Sequence, residues 1–446
     1  MKNQLLETNN TGAFGDDKLN RKFLAENLKR ILLNTDYSVF SINAPWGGGK
    51  SYFIENLAEL IGDEAICISY NAWESDFYNN PLVPLVTEIM YKFEQVISKK
   101  DEIYSDLIDI KKIVKSIFDK TSFSIGINGF GITYDPNKPT IESDYIALKN
   151  LKEKLRSGLG FIQEKLNKNI IIFVDDLDRC NPKYAIETLE TIKHFFGIKN
   201  IIFVLAVDKK QVENIVKTIY GIAPETSDIE GYLKKFIDVE FNLPAPDYKE
   251  FIDFHMQAIN EISKIFIEEY RYYVYRAIIN NTQMSFTEYQ SLLCDTICKL
   301  VAALDFTPRI IEKLFMRTKL TIESLEDYDY LLLDVIFILN ALYISDKNAF
   351  DLYVNAVPYN ANLDKIGTKV DNIFPYWTGV LSNFNTIMSK YNSSDTMRLI
   401  SKETNVVNLS NFSQNFKYYY PYRTHYKLDE YLKAYSSKIE FIGSMD

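Results

Sequence analysis

The sequence predicts an α/β fold, with a parallel sheet flanked by helices and a mostly helical C-terminal region behind it. Three apolar runs predict it. Val39, Phe40 and Ile42 lead into Gly47-Gly48-Gly49-Lys50-Ser51, after which Phe53, Ile54 and Leu57 recur at helical spacing. Ile170 to Val174 is unbroken and closes on Asp175-Asp176, and Ile201 to Val207 closes on Asp208. Continuous runs of this kind fit strands buried on both faces, and helical patterns between them fit a doubly wound sheet.

The first run carries the chemistry. Strand, glycine bend and helix in that order fit a phosphate-binding loop of the pattern GxxxxGK[ST]. Its glycines let backbone N–H groups turn around a phosphate, and its lysine reaches the β- and γ-phosphates. The hydroxyl that follows ligates Mg²⁺. Gly47, Gly48, Gly49, Lys50 and Ser51 fill the second half of the pattern, while its first glycine position is Ala44. Alanine does not take φ > 0 cheaply.

The 446 residues allow two or three domains, and a hydrophobic content of 47% supports sizeable cores. A net charge of -10 speaks against a generic phosphate-coating surface, so nucleic acid is not indicated by charge, although a local basic patch is compatible with it. Cys67, Cys180, Cys294 and Cys298, with no secretory leader, fit a reduced, cytoplasmic protein. Cys294 and Cys298 lack a matching Cys/His pair and read as buried thiols rather than a zinc site. The most apolar window, Leu331 to Ile344, is broken by Asp334 and Asn340 and reads as a core helix, so no membrane segment is expected.

In chain order, residues 1–15 read as a loose leader and Asp16 to Leu33 as a helix. Residues 16–246 form the expected nucleotide-binding core, with Ala65 to Tyr70 a further short strand and 81–118 helical. An insert at about 95–140 holds a hairpin, since Phe123, Ile125 and Ile127 alternate, Asn128-Gly129 turns, and Phe130, Ile132 and Tyr134 alternate again. Helices follow at 141–167 and 182–196. Residues 247–356 read as a helical subdomain with helices at 248–277, 285–304, 308–318 and 328–356. Residues 357–446 are tyrosine-rich and less periodic.

A phosphate loop requires an acidic strand end, because Mg²⁺ is a hard cation that takes carboxylates and keeps several waters. Asp175, first after its strand, is the candidate metal ligand together with Ser51. Asp176 is a candidate to orient or deprotonate the attacking water, with Asp178 its competitor. Asp208 either senses the γ-phosphate or caps the helix beginning at Lys209. Trp73 reads first as a core aromatic and second as a piece beside the nucleotide, and His194 as partly buried structure.

These residues together resemble the KAP family of P-loop NTPases. The resemblance runs through Asp17-Lys18-Leu19, Phe23-Leu24-Ala25, Pro45 to Ser51 and Tyr70-Asn71-Ala72-Trp73. Its most specific stretch is Val174 to Cys180 with Pro182, similar to an extended Walker B. Phe203 to Asp208, Tyr232 to Ile237, Leu243-Pro244 and Thr307-Pro308-Arg309 follow in order, so the likeness covers roughly 17–320. It implies an additional-strand (ASCE-like) P-loop NTPase core that binds and hydrolyses ATP with Mg²⁺. Pro45, Trp46, Gly47, Gly48, Gly49, Lys50, Ser51, Tyr52 and Asp208 are then the nucleotide-binding candidates, and Lys50, Asp176, Asp178 and Arg309 the catalytic ones. Arg309 would act within the chain, and Lys235 or Arg179 across a subunit interface. Many relatives insert membrane helices between the two Walker motifs, where this chain has a soluble insert. Bacterial relatives are often linked to phage exclusion.

The resulting expectation is an ATPase used as a conformational switch, with a protein partner or a homo-oligomer. An ATP-binding oligomeric scaffold with little turnover is the first alternative, and an ATP-driven nucleic-acid remodeller the second.

Overall fold

The structure is a computed structural model and describes residues 12–78, 80–97, 141–195, 197–220, 232–266, 286–325, 333–345 and 428–444, with isolated residues among 104–112 and 347–351. The chain divides into two compact units, Met1–Pro246 and Asp247–Asp446. The hairpin read at 123–134 lies outside the described residues. No helix among the described residues is long and apolar enough to cross a membrane.

Among its described residues the first unit is built on five parallel strands. They are β1 (Val39–Asn43), β2 (Ala65–Asn71), β3 (Asn169–Asp175), β4 (Ile201–Val207) and β5 (Val239–Asn242). Their order is β2-β3-β4-β1-β5, so β4 stands between the strand that feeds the glycine bend and the strand that ends in acids. This is the additional-strand arrangement. It sets β1 and β3 two strand spacings apart, roughly 10 Å.

The apolar runs explain the layers. Successive strand side chains point to opposite faces. Ile170, Ile172 and Val174 face one core with Phe203 and Leu205, while Ile171 and Phe173 face the other with Phe40, Ile42 and Val204. The second face is covered by α1 (Lys22–Leu33) through Ala25, Leu28 and Leu32, and by α2 (Lys50–Ile61) through Phe53, Ile54 and Leu57. The first face is covered by α4 (Leu82–Val96), α5 (Ile141–Leu166), α6 (Pro182–Phe195) and α7 (Lys209–Tyr220). A short helix, α3 (Ala72–Ser75), follows β2.

Several expectations are corrected. Within the stretch read as a loose leader, the chain packs at Phe14. Phe14 is buried, its N–H donates to Asn56 Oδ1 at 2.6 Å, and its ring meets Tyr52 and Phe53 edge-on. Helix α1 starts at Lys22 rather than Asp16, because the Asp17 carboxylate draws the chain into a turn by accepting the N–H groups of Leu19, Arg21 and Lys22. Trp73 is 50% exposed and is not a core aromatic, and His194 is exposed on α6. Strand β5 went unread because it is four residues long, with only alternate residues half-buried.

The second unit is helical among its described residues. It holds α8 (Lys249–Phe266), α9 (Phe286–Ala303), α10 (Pro308–Glu323), α11 (Leu333–Ser345) and α12 (Leu428–Gly443). Helix α12 falls in the tail that read as less periodic, and it buries Tyr435, Ile439 and Ile442. Arg317 on α10 is fully buried, donates Nη2 to the Ile439 carbonyl at 2.8 Å, and lies 4.4 Å from the Tyr343 ring centre.

Candidate functional site

Ligands of open parallel sheets sit outside the carboxyl ends of the strands. Here β1 ends in the glycine bend, β3 in Asp175 and β4 in Asp208. The bend needs its glycines for separate reasons. Gly47 and Gly49 have φ of 75° and 80°, a region a side chain strains to occupy. At Gly48 an added Cβ would stand 2.8 Å from the Pro45 carbonyl oxygen. Ala44 is tolerated at the first position because it does not take a positive φ there. Its N–H donates to the Val207 carbonyl, continuing the ladder into the loop.

Lys50 opens α2 and is buried. Its Nζ donates to the Ala44 carbonyl at 2.8 Å and to the Pro45 carbonyl at 3.4 Å, and lies 3.8 Å from Asp178 Oδ2. Burial pushes its pKa down, and Asp178, Asp208 and Asp175 act in the opposite direction. Ser51 follows in the first helical turn, half-buried.

Asp178 is the acid that joins the parts. Its side chain is 1% exposed, and Oδ2 accepts from the Trp46 indole N–H at 2.9 Å and from the Asp208 backbone N–H at 2.7 Å. It thus ties the loop after β1 to the end of β4. Asp175 Oδ1 accepts the Asp176 N–H at 2.9 Å, and Asp175 stands beside Asn71 in the sheet register. Asp176 takes φ of 55°, pairs with Arg179 Nε at 3.0 Å and accepts from Asn71 Nδ2 at 3.4 Å. Burial raises its carboxyl pKa, with Asp175 adding to the effect. Arg179 lies 5.8 Å from the Trp73 ring centre, so exposed Trp73 borders this acidic end.

Asp208 carries the capping geometry: Oδ1 accepts the Lys210 N–H, and its carbonyl starts α7. Pro45 accepts the Gly48 N–H at 2.9 Å. The structure does not bring Tyr52 to this cluster through its hydroxyl, which donates to Asp16 Oδ1 at 2.7 Å on the leader side. Lys235 is exposed near Tyr232, its carbonyl accepting from Lys193. Arg309 belongs to the second unit, where it is exposed in the first turn of α10.

Two residues of this site escaped the sequence reading. Asn43 donates to Asn242 Oδ1 and accepts the Lys209 N–H, joining the ends of β1, β5 and α7. Arg21 is buried and donates Nη1 to the Gly48 carbonyl at 2.7 Å. No sequence signal marks Arg21, because its partner lies 27 residues along the chain.

Among the described residues no group of three or more His, Cys, Asp and Glu side chains is placed to hold a metal by itself. The donors around the bend are hydroxyl and carboxylate oxygens, Ser51 and Asp175 foremost. That set suits a hard cation completed by water and phosphate oxygens.

A model of the KAP family P-loop domain matches residues 21–321. Among curated proteins the chain is similar to the phage T7 exclusion protein of Escherichia coli (strain K12), with 23% identity over 253 residues. That match takes in 50% of this chain and 33% of the relative, so the chain spans about a third of the length of that relative. Among solved structures it is similar to the Aeropyrum pernix ORC2 protein (ADPNP-ADP complexes) at 14% identity and a TM-score of 0.29, covering 96% of this chain and 86% of that one. It is similar also to C. elegans PCH-2 at 11% identity and a TM-score of 0.29, covering 76% and 70%.

Proposed function

The chain belongs to the KAP family of P-loop domains, and we propose that it binds ATP with Mg²⁺ and hydrolyses it as a conformational switch. One observation carries the reading: a three-glycine bend, its buried lysine and a buried aspartate from the next-but-one strand converge at the carboxyl edge of an additional-strand sheet. In this reading the amides of the bend and the N-terminus of α2 hold the phosphates. Lys50 exchanges the Ala44 and Pro45 carbonyls for phosphate oxygens. Ser51 and Asp175 would hold Mg²⁺, which would supply charge neutralisation to the phosphates.

We assign different work to the two remaining acids. Burial raises the Asp176 carboxyl pKa, which suits a group that orients or deprotonates water. Asp178 already binds three segments and is suited to hold Lys50 and Trp46 in place. Turnover of wild type, Lys50→Ala and Asp176→Asn tests the reading: the variants fall at least tenfold, and equal rates in all three contradict it.

A second reading, an ATP-binding oligomeric scaffold with little turnover, is favoured by one observation. Asp176 is held by Arg179 and Asn71, and no glutamate stands beside Asp175. Assembly on addition of a nonhydrolysable analogue, without turnover, selects it. A phage-excluding role is supported by the similarity to the phage T7 exclusion protein, and a cytoplasmic location with a protein partner or homo-oligomer belongs to the same proposal. Equal phage plating with and without the gene contradicts that role.

A further inference from the structure

The segment before α1 is fastened to the helix that the glycine bend feeds. Phe14 donates its N–H to Asn56 and packs on Tyr52 and Phe53, and Asp16 accepts from the Tyr52 hydroxyl. One turn on, Asp17 takes the N–H groups of Leu19, Arg21 and Lys22 and so sets where α1 begins. The side chain that leaves this turn is Arg21. It is 2% exposed and reaches the bend with Nη1 2.7 Å from the Gly48 carbonyl oxygen and 3.5 Å from that of Gly49.

This contact orients a peptide plane. In a trans peptide the C=O and the following N–H point in opposite directions. Holding the Gly48 carbonyl against Arg21 therefore turns the Gly49 N–H away from it, to the other side of the bend. The Gly48 N–H is occupied by the Pro45 carbonyl, and the Gly49 carbonyl starts α2 by accepting from Phe53. The Gly48–Gly49 peptide is thus the plane whose direction Arg21 decides. The approach depends on glycine, since a Cβ on residue 49 would sit 2.6 Å from Arg21 Nη1. A buried guanidinium beside the bend also favours an anion there.

We propose that Arg21 is a positioning residue for nucleotide: by clasping the Gly48 carbonyl it presets the Gly49 N–H toward the phosphates. Loop amides of this kind cradle the α- and β-phosphates, which ADP and ATP share. Arg21 therefore sets affinity for both nucleotides by the same factor. The inference rests on the bend being a nucleotide cradle.

The test uses the full chain and calorimetric titration with Mg·ADP and with a nonhydrolysable Mg·ATP analogue. Arg21→Ala weakens both by roughly 10- to 100-fold, the range of a charge-assisted hydrogen bond. Arg21→Lys, which offers one donor in place of a planar fork, weakens both by roughly 3- to 10-fold. In the nucleotide-free alanine variant, hydrogen exchange quickens at residues 44–50 and not in β3 or β4, whereas general loosening would quicken all three. Should the alanine variant fail to fold, the lysine variant carries the test. Affinities within twofold of wild type, or loss of the ATP analogue alone, overturn the proposal. A wild-type chain that binds neither nucleotide overturns instead the reading of the bend as a nucleotide site.

Discussion

The ammonium of Lys50 stands 3.8 Å from a carboxylate oxygen of Asp178, although the strands that deliver them are separated by β4. Both groups are buried, and each is held by further partners: Lys50 by two loop carbonyls, Asp178 by the Trp46 indole and the Asp208 amide. A buried charge is retained at a cost in desolvation unless it is paired and hydrogen-bonded. Here the pairing holds a buried cation beside the glycine bend.

Asp178→Asn keeps an acceptor for Trp46 and Asp208 but removes the charge that faces Lys50. The account predicts nucleotide affinity within about tenfold of wild type and turnover lower by up to roughly 10²-fold, the cost of a misplaced Lys50. Asp178→Ala should in addition release the Trp46 indole and alter its emission. Titration, steady-state assay and tryptophan fluorescence read the three effects, and full turnover in the Asn variant contradicts the assignment.

Asp176→Asn should stabilise the nucleotide-free protein while lowering turnover. Burial and Asp175 raise the Asp176 pKa above 3.8, so the folded state favours the protonated form. That contribution is present below pH 3.8 and lost as pH rises through the raised value. At pH 7 the ionised group is therefore a cost, which asparagine removes, and asparagine also tolerates the φ of 55°. Melting at pH 7 should rise, and the gain should shrink toward pH 4. A lower melting point for the variant at pH 7 contradicts this.

Gly49→Ala meets two obstacles, a φ of 80° and an Arg21 nitrogen 2.6 Å from the new Cβ. Its cost should be on the order of 1–3 kcal/mol in stability, with at least a tenfold loss of nucleotide affinity. Combining it with Arg21→Ala removes the contact but not the strained backbone, so the double variant regains part of the stability and none of the affinity. Full recovery of both contradicts the account.

In the helical unit, Arg317→Ala removes a fully buried cation from the Ile439 carbonyl and the Tyr343 ring. The loss should be roughly 3–5 kcal/mol, and Arg317→Met, which refills the space, should cost less. Thermal melting orders the three proteins, and equal stability contradicts the assignment.

What was legible in the sequence follows from how each feature is encoded. Ile170 to Val174 and Ile201 to Val207 are apolar at every position, and only a strand covered on both faces needs that. Gly47 and Gly49 mark a bend because few other residues adopt their φ. Arg21 was not legible, since its contact to Gly48 spans 27 residues and nothing local separates it from a solvated helix-start cation. Nor was the division between Asp176 and Asp178, because a strand end followed by a turn does not reveal which carboxylate the turn aims at Lys50. Trp73 was misread because apolar mass suggests burial, whereas here it is half exposed with Arg179 5.8 Å from its ring centre. Phe14 was missed because one aromatic in a polar stretch has no periodicity to betray its packing.

The most direct measurement is equilibrium titration of the full chain and of Lys50→Ala with a fluorescent ATP analogue, with and without Mg²⁺. The account predicts saturable binding by wild type, strengthened by Mg²⁺, and affinity at least tenfold weaker in the variant. Equal binding by the two proteins, or no binding by wild type at millimolar analogue, contradicts it.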